Sequence, residues 1–264
     1  MSGRGELLEG GPVNGRHREV ERTMRDYWDA KARENAMFYI HSELDYAHSD
    51  PEAFWRSGEE NLERTLGLFD DHVLPGDDVV EIGCGMGRMT RPLALRAGKV
   101  IGVDVSEEMV RRAREALADL TNVTLFVGSG IDLAGIPDAS ADVVYSFIVF
   151  QHIPDPAITC RYVRDIGRVL RPGGWTLFQV SDFPAIHRAE SHPGQHAWRN
   201  RLAQIRGRRP RGCLSSPWLG SAVARRDLLR ALAAGGLVLD GTVGDATQYC
   251  FVRAHRPGGN RSTS

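Results

Sequence analysis

Residues 79–88 read Val79-Val80-Glu81-Ile82-Gly83-Cys84-Gly85-Met86-Gly87-Arg88. A short, largely apolar run suits a buried parallel strand. The three glycines after it let the backbone turn tightly into a helix and come close to a ligand. Downstream, apolar runs at 100–103, 123–127, 143–149 and 175–180 alternate with helical patterns at 89–96, 107–117 and 156–170. Ser106 and Asp155 stand where the second and third helices need N-caps, with Glu107 and Glu108 in a first turn that favours negative charge. Pro172-Gly173-Gly174 is a helix stop. This rhythm predicts an α/β fold, a doubly wound and mostly parallel seven-stranded sheet with helices on both faces. A helix at 225–234 and strands at 237–243 and 247–252, joined through Gly244-Asp245, predict a terminal antiparallel hairpin.

Ahead of the sheet, residues 21–73 read as an N-terminal helical cap. Met24, Tyr27, Trp28 and Ala32 recur at helical spacing. Asp50 and Pro51 supply an N-cap and first-turn proline for a further helix, whose face continues through Leu62, Leu66 and Phe69. Tyr27, Trp28, Phe38 and Tyr39 serve either as a packing face or as a lid. Residues 1–20 and 256–264, rich in Gly, Arg and polar residues without apolar periodicity, read as disordered tails. The catalytic domain is expected over 74–255, with an insert at about 182–223.

The formal net charge of -1 argues against a dedicated DNA binder. All basic residues but Lys31 and Lys99 are arginine. Cys84, Cys160, Cys213 and Cys250 are too scattered for a zinc site or a disulfide framework, so no metal is expected. No stretch reaches the roughly 18 apolar residues of a membrane helix, and no signal-peptide pattern opens the chain. A cytoplasmic protein without membrane association is expected; the oligomeric state is not legible.

A dinucleotide fingerprint would place its third glycine at position 88, which is Arg88. Asp104, at the end of the second strand, suits ribose hydroxyls as hydrogen-bond donors. With these residues in place, 77–180 resembles the core of the class I S-adenosylmethionine-dependent methyltransferases. Glu81 to Gly87 resembles that family's glycine motif. Val103-Asp104-Val105-Ser106 resembles its acidic motif, and Gly128-Ser129-Gly130-Ile131-Asp132-Leu133 its adenine-reading region. Asp142-Val143-Val144-Tyr145-Ser146 is similar to the fourth strand, and Leu170-Arg171-Pro172-Gly173-Gly174 to the turn before the fifth. Ser129 stands where the family commonly has Asp or Asn; its hydroxyl is still an acceptor, with Asp132 as the alternative.

The resemblance implies S-adenosyl-L-methionine as cofactor. Glu81, Gly83, Gly85 and Gly87 would frame its methionyl portion and Asp104 its ribose. Val105 and Ile131 would flank the adenine, Ser129 and Gly130 meet its edge, and Phe147 and Ile148 line the methyl end. His152, just past the fourth strand, is the candidate catalytic base, or a histidine that only packs at the strand-helix junction. His187, His192 and His196 are rivals. The expected function is methylation of a small molecule, with oxygen favoured. The alternatives are an RNA or protein methyltransferase reading its acceptor through Arg188, Arg199, Arg201, Arg206, Arg208, Arg209 and Arg211 of the insert, and a non-catalytic cofactor-binding module. The Asn-Pro-Pro-aromatic motif of base N-methylation is replaced by Phe147-Ile148-Val149-Phe150.

Overall fold

Seven strands form one sheet in the order β3-β2-β1-β4-β5-β7-β6. The computed structural model describes residues 15–188 and 215–258. The strands are β1 (Asp78–Ile82), β2 (Lys99–Asp104), β3 (Val123–Val127), β4 (Ala141–Ser146), β5 (Leu170–Val180), β6 (Val238–Val243) and β7 (Cys250–His255). Pairs β1–β2, β1–β4, β2–β3 and β4–β5 are parallel, while β7 runs antiparallel to both β5 and β6. The doubly wound sheet and the terminal antiparallel pair are therefore as expected.

The helices are α1 (Gly15–Ile40), α2 (Pro51–Gly67), α3 (Thr90–Ala94), α4 (Glu107–Ala116), α5 (Pro156–Val169), α6 (Ser216–Leu219) and α7 (Arg225–Ala234). Three predicted N-caps are made. Asp50 accepts from the Glu52 N–H, Ser106 from Met109 and Asp155 from Ala157. In α1, Asn35 has extended rather than helical backbone. Its side chain accepts from the Phe38 N–H and donates to the Tyr46 carbonyl, so it restarts the helix as an internal cap.

Both faces of the sheet are covered, which explains why its central strands read as continuous apolar runs. On one side Val80, Ile82, Val144, Phe178 and Val252 pack with Ile158, Val163 and Ile166 of α5 and Leu228 and Leu232 of α7. On the other, Val79, Val143, Tyr145, Leu177 and Phe251 pack with Leu62 and Leu66 of α2 and Leu93 of α3. At the α5–α7 contact, Gly167 lies against the end of α7: a Cβ there would sit 1.9 Å from the Gly235 carbonyl oxygen. Gly167→Ala must separate the two helices. Thermal denaturation should show a loss of about 1–3 kcal/mol, and an unchanged midpoint would contradict this packing.

Four expectations are corrected. Residues 15–20, assigned to a disordered tail, are the first turns of α1, with Val20 packed against the core. The fourth strand was expected to reach 149 but ends at Ser146. Pro172-Gly173-Gly174 does not stop the helix, which has already ended at Val169; it bulges inside β5, where pairing jumps from Ala141–Leu170 to Val143–Trp175. The last strand lies at Cys250–His255 instead of 247–252. No helix among the described residues is long and apolar enough to cross a membrane.

Candidate active site

The strand order reverses between β1 and β4, and in open α/β sheets ligands bind beyond the strand ends at such a point. A cavity of about 730 Å³ opens there. Its wall combines the ends of β1, β2 and β4 with residues of α1, α2, β7 and the insert.

The glycine loop is fixed by backbone hydrogen bonds. Gly83 and Cys84 both donate to the Val103 carbonyl, at 2.7 and 3.1 Å. Gly83 and Gly85 line the cavity, in left-handed conformations that favour glycine. The space beside them is shared with protein as well as ligand: a Cβ on Gly83 would lie 2.2 Å from Val149 and one on Gly85 2.9 Å from Ile40. Gly87 is not in the cavity wall. It turns the chain into α3 against Leu117.

Asp104 lines the cavity at the end of β2. One carboxylate oxygen accepts from the Gly85 N–H at 2.9 Å and the other from Ser106 at 2.8 Å. A carboxylate has about four lone-pair sites, so each oxygen keeps capacity for a ligand hydroxyl. Burial raises its pKa against the opposing pull of those two N–H groups. Cys84 lies beneath, its thiol pushed up by burial. Asp29 of α1 accepts from the Ser106 hydroxyl at 2.6 Å and the Glu108 N–H at 3.1 Å, which ties the cap to α4 beside this carboxylate.

Val105 and Gly130 also face the cavity, with Met24 and Met109. Ser129 and Ile131 do not. The Ser129 hydroxyl donates to Asp132 at 2.7 Å and accepts from the Ile131 and Asp132 N–H groups, so it is a turn former. Ile131 is buried in the core. Asp132, the alternative reader, is held by Arg161 at 2.8 Å.

Glu81, Phe147, Ile148 and His152 also line the cavity. Glu81 is buried and accepts from the Thr90 hydroxyl at 2.6 Å. Burial pushes its carboxyl up to about 7. Ile148 has φ of 55°, a conformation that costs a β-branched residue about 1–3 kcal/mol. It turns the chain out of β4 into a short helical turn, Phe150–His152.

The His152 Nδ1 lies 2.9 Å from the Trp218 carbonyl oxygen, which can only accept, so Nδ1 carries the proton. The free lone pair is then on Nε2, 3.2 Å from the Gln151 amide nitrogen. Gln151 is itself held by Gln179 at 3.0 Å. Trp28 and Trp218 pack on the imidazole, with ring centroids 5.5 and 5.6 Å away. Desolvation pulls its pKa down to about 4, so the ring is neutral at pH 7. His187, a rival base, also lines the cavity; it bonds the Leu219 carbonyl through Nδ1 and the Ser181 hydroxyl through Nε2, at 2.6 Å for the latter. Consecutive carbonyls of α6 thus hold both rings. Gly220 lets α6 dock closely, since a Cβ there would lie 1.7 Å from the Gln151 carbonyl oxygen.

Of the four cap aromatics, Trp28 and Tyr39 reach the cavity, while Phe38 packs on Tyr39 and Tyr46. Gln151, Arg64, Arg88 and Trp218 also line it without having been singled out as site residues. Arg88 carried a readable signal, a lone charge between Met86 and Met89 in the approach to α3. His192, His196 and the arginines from 199 to 211 lie outside the described residues. Asp182, Asp245 and Cys250 approach one another away from the cavity, but Asp245 pairs with Arg225 and Asp182 accepts from the Ala246 N–H.

Residues 80–178 match the family model described as a methyltransferase domain. The chain is 38% identical over 117 residues to nocamycin O-methyltransferase of Saccharothrix syringae, covering 42% of this chain and 39% of that protein. It is 30% identical over 133 residues to the ubiquinone biosynthesis O-methyltransferase of Nitrosospira multiformis, covering 50% of this chain and 54% of that one. The matches thus span about half or less of these curated relatives. In fold, the chain is similar to a phosphoethanolamine N-methyltransferase of Haemonchus contortus, at a TM-score of 0.64 and 15% identity over 97% of this chain and 52% of that one. A methyltransferase of Mesorhizobium loti gives a TM-score of 0.52 at 24% identity, over 69% of this chain and 92% of that one. The domain match, the sheet order and the Asp104-centred pocket converge: residues 80–178 form a methyltransferase domain, on a fold similar to that of the class I S-adenosylmethionine-dependent methyltransferases.

Proposed function

We propose that this protein methylates an oxygen atom of a small-molecule acceptor, with His152 as the base. The observation that carries this reading is a neutral imidazole in the wall of the Asp104 cavity, its Nδ1–H fixed by a carbonyl and its lone pair on Nε2. The O-methyltransferases among the relatives support the same reaction class.

The cavity suits the cofactor. Asp104 has lone pairs left for two ribose hydroxyls, Val105 and Gly130 would border the adenine, and Gly83 and Gly85 would give the methionyl portion close access to the backbone. When bound, S-adenosylmethionine supplies an activated methyl group. The chain's own residues do the rest. The cavity wall orients the acceptor, and such positioning supplies much of the rate in a displacement. Nε2 of His152 takes the proton from an acceptor hydroxyl, which must first displace the Gln151 amide. The carbonyl of Trp218 holds the ring in the required tautomer throughout. Ser129 and Ile131 have no part in this scheme.

The pH dependence follows from the lowered pKa of His152. A base with a pKa of about 4 is already deprotonated throughout the range above it. His152 should therefore contribute no acid-side inflection to the kcat/KM profile near the ordinary histidine value of about 6.5, its own lying towards pH 4. Glu81, pushed up to about 7 in the same cavity, is removed from the profile by Glu81→Gln; an inflection near 6.5 that persists in that variant would remove His152 from the role.

The reaction class is tested by incubating the full chain with methyl-labelled S-adenosylmethionine and a set of hydroxylated small molecules. Label recovered as a methyl ether or ester supports the reading. Label found only in RNA, in protein or on nitrogen overturns it.

A further inference from the structure

Arg88 lines the cavity and is only 4% exposed. Burying a guanidinium is costly unless it is paired, yet Arg88 forms no ion pair among the described residues. Its Nη1 makes two long contacts to Ser57, at 3.4 Å to the carbonyl and 3.3 Å to the hydroxyl. Its Nε is buried with no hydrogen-bond partner at all. Burial lowers the pKa only to about 10, so the group stays charged at neutral pH. The guanidinium lies over the Phe147 ring, 5.4 Å from its centroid. Arg64 of α2 lines the same cavity and is exposed, with one contact to Asn61 at 2.7 Å. Phe251, stacked on Phe147, and Tyr249 complete an aromatic wall.

We propose that Arg88, assisted by Arg64, is the recognition site for a carboxylate on the methyl acceptor. This rests on the small-molecule reading above. A planar carboxylate matches a guanidinium fork and would satisfy the orphaned donor. A carboxylate is favoured over a phosphate by the local charge. Arg88 feels the charges of Glu43, which also lines the cavity, of Arg64, and of Glu81, whose carboxyl is pushed up to about 7. That balance suits a monoanion better than a dianion. The aromatic wall beside the guanidinium suits an acceptor whose carboxylate is carried on a flat apolar body.

The test uses benzoate, its uncharged analogue benzamide and phenyl phosphate as probes. Each is titrated calorimetrically into the full chain, free and saturated with S-adenosylhomocysteine. Benzoate should bind about tenfold or more tightly than benzamide and at least as tightly as phenyl phosphate. Arg88→Gln should abolish that preference while leaving S-adenosylhomocysteine affinity within about twofold, and Arg88→Lys should restore part of it. Arg64→Gln, at an exposed position, should weaken benzoate selectively and keeps the test decisive if Arg88→Gln does not fold. Equal binding of benzoate and benzamide, or a preference that survives in Arg88→Gln, overturns the proposal. So does a parallel collapse of S-adenosylhomocysteine affinity in Arg88→Gln, which would assign the guanidinium to the cofactor. Tighter binding of phenyl phosphate overturns the choice of carboxylate. If the wild-type chain does not bind S-adenosylhomocysteine, the methyltransferase reading fails separately, and the benzoate preference of the free protein still decides the anion site.

Discussion

Asp104→Ala should lower affinity for S-adenosylmethionine and S-adenosylhomocysteine by a hundredfold or more. Two ribose hydroxyls donating to a carboxylate contribute about 1.5–3 kcal/mol each, and each 1.4 kcal/mol is about tenfold in Kd. The substitution also removes the acceptor for the Gly85 and Ser106 N–H groups, so the glycine loop loses its tie to the end of β2. The fold should survive, because Asp104 lies at a strand end and not in the core clusters. Titration calorimetry on the variant, with circular dichroism to confirm folding, is the check. An affinity within about threefold of wild type would mean that the ribose does not sit on Asp104.

The second large effect is expected at His152. His152→Ala should reduce turnover by roughly 100-fold or more, the usual scale for a lost general base, with S-adenosylhomocysteine affinity nearly unchanged. His152 also packs between Trp28 and Trp218 and bonds the Trp218 carbonyl, so loss of activity alone does not separate chemistry from positioning. His152→Gln makes that separation, since an amide can still donate to the carbonyl but is not a base. Turnover lost equally in both variants, at similar KM, supports proton transfer; turnover restored in His152→Gln would leave the histidine with a structural role.

How much of this was legible in the sequence depended on whether the signal was local. The caps at Asp50, Ser106 and Asp155 were readable because a cap is made within a few residues of itself. Strands β1 and β2 were readable because both faces of the sheet are covered there. The apolar run that continues past Ser146 was misread as strand. Phe147, Ile148 and Val149 are apolar because they wall a cavity, and Ile148 leaves the extended region altogether. The last strand was placed too early because it carries Arg253 and His255. Those polar side chains are accommodated by Asp71 and Asp240, partners from α2's following turn and β6 that no local window contains. Residues 15–20 looked like tail because Val20 is their single apolar side chain beyond glycine, and it packs against the core.

The candidate site divided along the same line. Gly83, Gly85, Asp104 and Val105 come from two consecutive strand ends, and motif spacing found them. Ser129 was placed by analogy of position, whereas its hydroxyl is consumed in its own turn. The acceptor side was scarcely legible. Arg64, Arg88, Gln151, Trp218 and Tyr249 converge on one cavity from α2, α3's approach, the turn after β4, α6 and the start of β7. No sequence window holds more than one or two of them.

The cavity at the β1–β4 switch point is expected to bind S-adenosylmethionine. Calorimetric titration of the full chain with S-adenosylhomocysteine tests it most directly. The expected result is saturable binding at a single site, abolished or severely weakened in Asp104→Ala and preserved in His152→Gln. No heat of binding from folded wild-type protein, or binding indifferent to Asp104→Ala, would contradict it.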